Sequence, residues 1–215
     1  MNFIEEYFID EKVCSELLEY YNSINSEHKV RGMCVSRNTE TNEWENKELP
    51  EIKECTELRI NVPDNPEYEK TGAVPVCEIT AKYIMELQKC VEKYVDKFEY
   101  ANSGSPWTIR QCISIQHYKP GEAFHAWHTE RNSASSPLAE RHLVFMTYLN
   151  TVTDKGGTEF FHQKLTVDPV VGKTLIWPAD WTHTHRGIPS PTETKYILTG
   201  WICNYKIKYQ VVNDV

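Results

Sequence analysis

Apolar positions change period along this chain, and the change divides it into a helical half and a strand-rich half. Val13, Leu17, Leu18, Tyr21 and Ile24 recur at helical spacing behind Asp10, whose carboxylate suits a cap, and Asn25-Ser26 offers a stop. From Arg31 to Lys53 the chain is polar and Asn/Glu-rich, with Pro50 near its end, which predicts a surface excursion. A short strand is expected from Leu58 to Val62, and Pro63, Pro66 and Pro75 then bracket an irregular stretch. Ile79, Tyr83, Leu87, Val91, Tyr94 and Phe98 recur every three or four residues, the mark of an amphipathic helix. After Ser103-Gly104-Ser105-Pro106 the period drops to two: Ile109, Ile113 and Ile115 share one face, while Arg110, Cys112, Ser114, Gln116 and Tyr118 share the other. Similar runs at 141–149, 158–161, 173–177 and 195–203 predict a sandwich or barrel of short strands. No Gly/Ser-rich linker parts the chain, so residues 1–215 read as one domain, with 1–105 as helical support and loops and 106–207 as the β-core.

Composition narrows the function classes. Apolar residues are 40% and charged residues 25% of the 215, an ordinary globular balance that excludes fibrous and disordered chains. Lys plus Arg number 23 against 31 Asp plus Glu, so the formal charge is −8 and a nucleic-acid partner is disfavoured. The opening MNFIEEYF lacks the basic and apolar regions of an export signal, and no run approaches the roughly 20 apolar residues of a membrane span, so no membrane partner is expected. The seven cysteines form no C-x-x-C pair and read as reduced thiols of a soluble, cytoplasmic protein.

Six of the eight histidines fall after residue 120. The sharpest pattern is YKPGEAFHAWHTE at 118–130, where a strand breaks at Pro120-Gly121 and then presents His128 and Glu130 two residues apart. Side chains at i and i+2 of an extended chain share a face, so an imidazole and a carboxylate there can chelate one ion. Two His and one carboxylate leave coordination positions open, as non-haem Fe(II) oxygenases require. The third ligand is expected within WPADWTHTHRGIP at 177–189, where His183 and His185 share parity. Lys195, ten residues beyond His185, favours His185, because its ammonium on the neighbouring strand would anchor an acidic co-substrate beside the metal. Thr199 and Trp201 share the parity of Lys195 and would continue that wall.

With these residues in view, the stretch from Ile109 to Cys203 resembles the 2-oxoglutarate and Fe(II)-dependent dioxygenases, prolyl 4-hydroxylase-like branch. The landmarks are Tyr118 with Pro120-Gly121, His128-Thr129-Glu130, Arg141 with Tyr148-Leu149-Asn150, Gly156-Gly157-Thr158-Glu159-Phe160, and His185-Arg186-Gly187-Ile188-Pro189 with Lys195 and Trp201. The resemblance implies a mainly β fold, a double-stranded β-helix (a cupin-like jelly-roll barrel) buttressed by N-terminal helices. It implies His128, Glu130 and His185 as iron ligands, Lys195, Tyr118, Tyr148 and Trp201 around 2-oxoglutarate, and Arg141 near the substrate mouth. It implies Fe(II), 2-oxoglutarate and O2 as cofactors, with ascorbate as a reductant. The reaction implied converts a C–H bond to C–OH on a peptide, a protein or free proline, or on another amino acid or small metabolite. Relatives ordinarily carry Asp where this chain has Glu130, and the extra methylene, about 1.5 Å, opens the alternative of a metal-binding module without turnover.

Other residues read as structural. His117, His142 and His162 are expected to hydrogen-bond within the β-core, His125 to face the pocket mouth or solvent, and Trp127, Trp177 and Trp181 to pack the barrel. The loops at 31–76 and 132–140 are expected to frame the mouth.

Overall fold

The computed structural model describes residues 1–37, 44–63, 65, 72–132 and 137–205. In chain order its regular elements begin with β1 (Glu5–Phe8), α1 (Glu11–Ser23), β2 (Lys29–Arg31), β3 (Cys34–Arg37), β4 (Trp44–Lys47), β5 (Thr56–Ile60) and α2 (Glu78–Lys97). The strand-rich half follows as β6 (Trp107–Ile109), β7 (Ile113–Tyr118), β8 (Arg141–Tyr148), β9 (Thr158–Phe160), β10 (Leu165–Val167), β11 (Lys173–Pro178), β12 (His185–Gly187) and β13 (Lys195–Asn204).

Both helices form where the 3.6-residue pattern predicts them. The Asp10 carboxylate accepts from the Lys12 backbone N–H at 2.8 Å, satisfying an orphan donor of the first turn of α1. Thr80 closes a reciprocal cap with Cys77 at the start of α2. The strands assemble into an antiparallel sheet in the order β1-β11-β8-β13-β7-β5-β2, with β6 also on β13, and a smaller sheet β10-β9-β12. Together they form the expected jelly roll.

Period-two alternation divides the interior into two cores. Ile113 and Ile115 of β7, Leu143 and Phe145 of β8, and Leu198 and Ile202 of β13 face the helices, meeting Val13, Leu17 and Tyr21 of α1 and Tyr83, Leu87 and Val91 of α2. The intervening residues Tyr118, Val144, Met146, Tyr148 and Ile197 face the other way and pack with Phe160, Val167, Leu175 and Trp177. Each buried aliphatic side chain of this kind is worth about 1.5–3 kcal/mol. The helices thus hold the back of the large sheet, which leaves its front free to line a cavity. Gly200 packs closely on the back: a Cβ there would lie 2.6 Å from the Phe145 ring.

Several strands escape periodicity. The excursion predicted from Arg31 to Lys53 contains the end of β2 and the β3–β4 hairpin, and residues 38–43 lie outside the described set, as do 64, 66–71 and 133–136 of the loops expected at the mouth. Residues 5–8, read only for export signals, form β1 on the edge strand β11. Three- and four-residue strands carry too few alternations to register as a pattern; cross-strand pairing decides them. Residues 1–105 therefore supply β1, β2 and β5 to the large sheet besides the two helices.

Candidate active site

A cavity of about 820 Å³ opens between the front of the large sheet and the small sheet, and among its lining residues are His128, Glu130, His185, Tyr118, Tyr148 and Lys195. His128 and His185 lie on facing backbone segments that exchange both N–H···O bonds at 3.0 Å. That bridge brings the imidazoles to a ring separation of 4.3 Å. Phe124 stacks on His128 with the rings 5° from parallel, and His185 packs edge-on to Trp177 at 5.0 Å, so both imidazole planes are fixed.

The tautomers follow from the second ring nitrogens. His128 Nδ1 lies 3.0 Å from the Ala126 carbonyl and His185 Nδ1 lies 2.9 Å from the His183 carbonyl. A carbonyl only accepts, so each Nδ1 is the donor and each Nε2 turns a lone pair toward the cavity. Glu130 Oε1 lies 3.5 Å from His128 Nε2 and 3.6 Å from His185 Nε2. Three acceptor atoms converge with no donor between them, an arrangement that calls for a cation. Burial, reinforced by His185, pushes the His128 pKa down and keeps its imidazole neutral. Burial opposes ionisation of Glu130, but the charge of Arg141 beside it favours the carboxylate, and its pKa is held well below the usual range. The donor set fits Fe(II), and its three members are the residues the sequence singled out.

The other oxygen of Glu130 is held from behind. Arg141 donates to Oε2 at 3.1 Å and to the Glu130 carbonyl at 3.0 Å, and its Nε donates to Gln111. Trp201 Nε1 donates to the same Oε2 at 3.0 Å, and the guanidinium lies 3.5 Å from the centre of the Trp201 ring. Both residues line the cavity, and their polar atoms engage Glu130. The added methylene of Glu130 lets one carboxylate reach the imidazoles with one oxygen and this clamp with the other.

Lys195 is 4% exposed and donates to the carbonyls of Gly156 at 2.8 Å and Ile188 at 3.4 Å. Gly156 takes φ +76°, where a Cβ would also strike Val152, so the Gly156-Gly157 turn is what aims that carbonyl inward. Among the described residues no carboxylate pairs with this ammonium, and desolvation pushes its pKa down to about 8. An ammonium with a third donor to spare and no anion fits a carboxylate ligand. The hydroxyls of Tyr118 and Tyr148 engage Gln116 at 2.6 Å and Thr158 at 2.7 Å, while Tyr118 places its ring 5.0 Å from the Lys195 Nζ.

A second charged group was not anticipated. Glu57 of β5 is buried between Lys53, which it pairs with directly, and Arg59, whose Nε donates to Oε2 at 3.3 Å; Gln116 Nε2 donates to Oε1 at 3.3 Å. Burial opposes both charges, but mutual attraction raises the Lys53 pKa and lowers that of Glu57. The signal was present as Glu57 and Arg59 alternating with Leu58 and Ile60, polar positions of a strand whose other face is core.

His183, His142 and His117 take structural roles, whereas His162, expected in the β-core, is exposed on the turn just beyond β9. His183 Nε2 donates to the Asn2 carbonyl at 2.8 Å, His142 Nε2 to that of Ala101 at 2.7 Å, and His117 stacks on Tyr196. Trp177 packs the barrel as expected, but Trp181 is 67% exposed and Trp127 is 36% exposed. All seven cysteines are free thiols, and among the described residues no helix is long and apolar enough to cross a membrane.

Comparison with known proteins adds an independent line. Residues 113–203 match the family model of the 2OG-Fe(II) oxygenase superfamily. No curated protein matches the sequence. Among solved structures, a viral collagen prolyl hydroxylase from Paramecium Bursaria Chlorella virus-1 is similar at TM-score 0.63 and 14% identity, over 94% of this chain and 97% of its own. A Pseudomonas putida prolyl-4-hydroxylase gives 0.64 and 14%, over 96% and 95%. A Trichoplax adhaerens prolyl hydroxylase, solved with a hypoxia inducible factor peptide fragment, gives 0.67 and 17%, over 95% and 84%.

Proposed function

We infer that this 2-oxoglutarate- and Fe(II)-dependent oxygenase, whose 2OG-Fe(II) domain spans residues 113–203, hydroxylates a prolyl residue of a peptide or protein. The observation that carries the chemistry is the convergence of His128 Nε2, His185 Nε2 and Glu130 Oε1 beside the anion-free ammonium of Lys195. The prolyl substrate is supported by the three fold relatives named above, all prolyl hydroxylases, one of them bound to a peptide.

When bound, Fe(II) with 2-oxoglutarate supplies the oxygen activation that turns C–H into C–OH, with succinate and CO2 as the other products. The chain's own residues prepare for it. Lys195 would hold the distal carboxylate of the co-substrate by a charge-assisted hydrogen bond. The carbonyls of Ala126 and His183 keep both imidazoles in the metal-ready tautomer. Arg141 and Trp201 keep Glu130 ionised and aimed. Tyr118, Tyr148, Trp177 and Ile197 wall the co-substrate chamber from bulk water, which strengthens the Lys195 contact and protects reactive species from side reactions. Ascorbate would serve as the reductant. The seven free thiols support a reducing, cytoplasmic setting.

The test is succinate formation from 2-oxoglutarate by protein loaded anaerobically with Fe(II) and then exposed to O2, with proline-containing peptides and the same peptides carrying alanine. Proline-dependent succinate and a peptide mass gain of one oxygen atom are expected. Stimulation by free amino acids or metabolites alone overturns the peptide substrate. No succinate from the iron-loaded protein overturns the enzyme and leaves a metal-binding module.

A further inference from the structure

Three of the largest exposed apolar side chains stand together at the mouth of the cavity. Trp127 lines the cavity and is 36% exposed; Phe161, just beyond β9, meets it edge-on at 5.2 Å and 81°. His162 meets Phe161 at 5.2 Å and 85°, and Trp181 meets His162 at 5.7 Å and 86°. Four rings in successive near-perpendicular contact make a corrugated aromatic strip that starts inside the cavity and runs out over the surface.

The strip is held rigid by contacts along its length. The Phe161 backbone N–H donates to the Thr184 carbonyl at 2.9 Å, Gln163 Nε2 donates to the Thr182 carbonyl at 2.9 Å, and the Thr184 hydroxyl donates to the Trp181 carbonyl at 2.7 Å. The Arg186 guanidinium stacks 4.4 Å from the centre of the Trp127 ring while pairing with Glu159 at 2.9 Å. Rings exposed on a pinned backbone are poised to bind, because little side-chain or loop entropy is left to lose. Neither the Trp127 nor the Trp181 indole N–H has a hydrogen-bond partner among the described residues.

Ring faces flanked by free indole N–H donors match one kind of occupant well. A polyproline II segment has a ridged, apolar profile, fully solvated backbone carbonyls that need donors, and no internal hydrogen bonds to break. Ring-to-ring steps of 5.2, 5.2 and 5.7 Å give a path of at most about 16 Å, and at about 3.1 Å per residue that is about five residues of such a helix. Because Trp127 belongs to both surfaces, a chain lying on the strip leads directly into the cavity.

We propose that the Trp127–Phe161–His162–Trp181 strip docks the proline-rich, polyproline II flank of a peptide whose reacting proline sits in the cavity. The proposal rests on the peptide substrate inferred above and adds where its flank binds.

The test uses the full chain and a fluorescent peptide of about a dozen residues, a central proline flanked on both sides by proline-rich sequence, read by anisotropy without turnover. Phe161→Ala and Trp181→Ala are each expected to weaken binding about tenfold, the loss typical of a removed aromatic anchor. Tyr100→Ala, a remote aromatic that is 81% exposed, is expected to change nothing. A control peptide with alanine flanks is expected to bind wild type about as weakly as the long peptide binds the variants. Unchanged affinity in both variants, or equal binding of the alanine-flanked control, overturns the proposal. So does a wild-type dimer in sedimentation that Trp181→Ala dissociates, since the strip would then be an interface between copies. The two readings fail separately: strip-dependent binding without hydroxylation sinks the prolyl hydroxylase reading alone, whereas hydroxylation with an unchanged KM for the long peptide in both variants sinks the docking strip alone.

Discussion

Replacing Lys195 by Met should stabilise the ligand-free protein while removing its co-substrate. Lys195 is buried, donates to two carbonyls and faces no carboxylate among the described residues; desolvation lowers its pKa from 10.5 to about 8. At about 1.36 kcal/mol per pKa unit, that shift is a folding cost of about 3 kcal/mol. The sign is set by linkage. Below pH 8 the amine is charged in both folded and unfolded chains and the cost is borne in full. As pH rises from about 8 toward 10.5 the folded chain gives up this proton first, so wild-type stability from this group increases across that window. Met fills a similar volume without the charge but forfeits two hydrogen bonds worth about 1 kcal/mol each. The net expectation at pH 7 is about 1 kcal/mol of added stability, or about 2–4 °C in Tm for a chain of this size. Co-substrate binding moves the opposite way: the carboxylate loses a buried charge partner worth about 3 kcal/mol, about a hundredfold in Kd. Thermal melts with Mn(II), under anaerobic conditions and with or without 2-oxoglutarate, read both effects. Wild type at a hundredfold excess over Kd gains about 2.7 kcal/mol by mass action, while Lys195→Met gains almost nothing. The wild-type ligand shift should itself shrink above pH 8, as the free amine loses its proton. A variant that melts several degrees lower without ligand, yet shows the full 2-oxoglutarate shift, would refute the reasoning.

Other perturbations test the supports of the triad and of the second charged group. Glu130→Asp withdraws the carboxylate by about 1.5 Å, too far to serve both the imidazoles and the Arg141–Trp201 clamp; turnover should fall at least about tenfold, and equal or higher succinate formation would show the clamp to be dispensable. Arg141→Ala should weaken Mn(II) binding about 10–100-fold by calorimetry, as loss of a partner behind a metal ligand typically does, and an unchanged Kd would remove it from that role. Glu57→Gln leaves Lys53 buried without its anion, and urea unfolding at pH 7 should register a loss of about 3 kcal/mol. Because the folded Glu57 pKa is depressed, its contribution is present above the usual carboxylate value of 4.5 and is lost as pH falls through the folded one; a wild-type and variant gap that persists undiminished into strong acid would contradict it. His183→Ala should keep full metal affinity, since its Nε2 serves the Asn2 carbonyl, and a large loss of Mn(II) binding would reopen the choice of distal ligand.

What the sequence determined by itself is what short-range geometry encodes. Helical spacing placed α1 and α2 within about two residues of their ends, because one face of each must be buried and the 3.6-residue period records which. Tyr118 was placed on the cavity wall only through the family resemblance, whereas strict alternation on β13 put Lys195, Thr199 and Trp201 on one face and assigned it to that wall. His128 and Glu130, two residues apart on extended chain, announced a chelating pair for the same reason. The tertiary structure alone decided everything that depends on which strand lies beside which. The paired N–H···O bonds of His128 and His185 hold His185 beside His128, the choice that Lys195 favoured in the sequence, while His183, of the same parity, serves the Asn2 carbonyl. Arg141 and Trp201 became the clamp on Glu130 because β13 runs beside β8, a neighbour relation that no local pattern carries. β1 exists because the edge of β11 was open to it. Periodicity records which way a side chain points; only chain folding over long sequence separations, stabilised by burial and backbone pairing together, fixes what it points at.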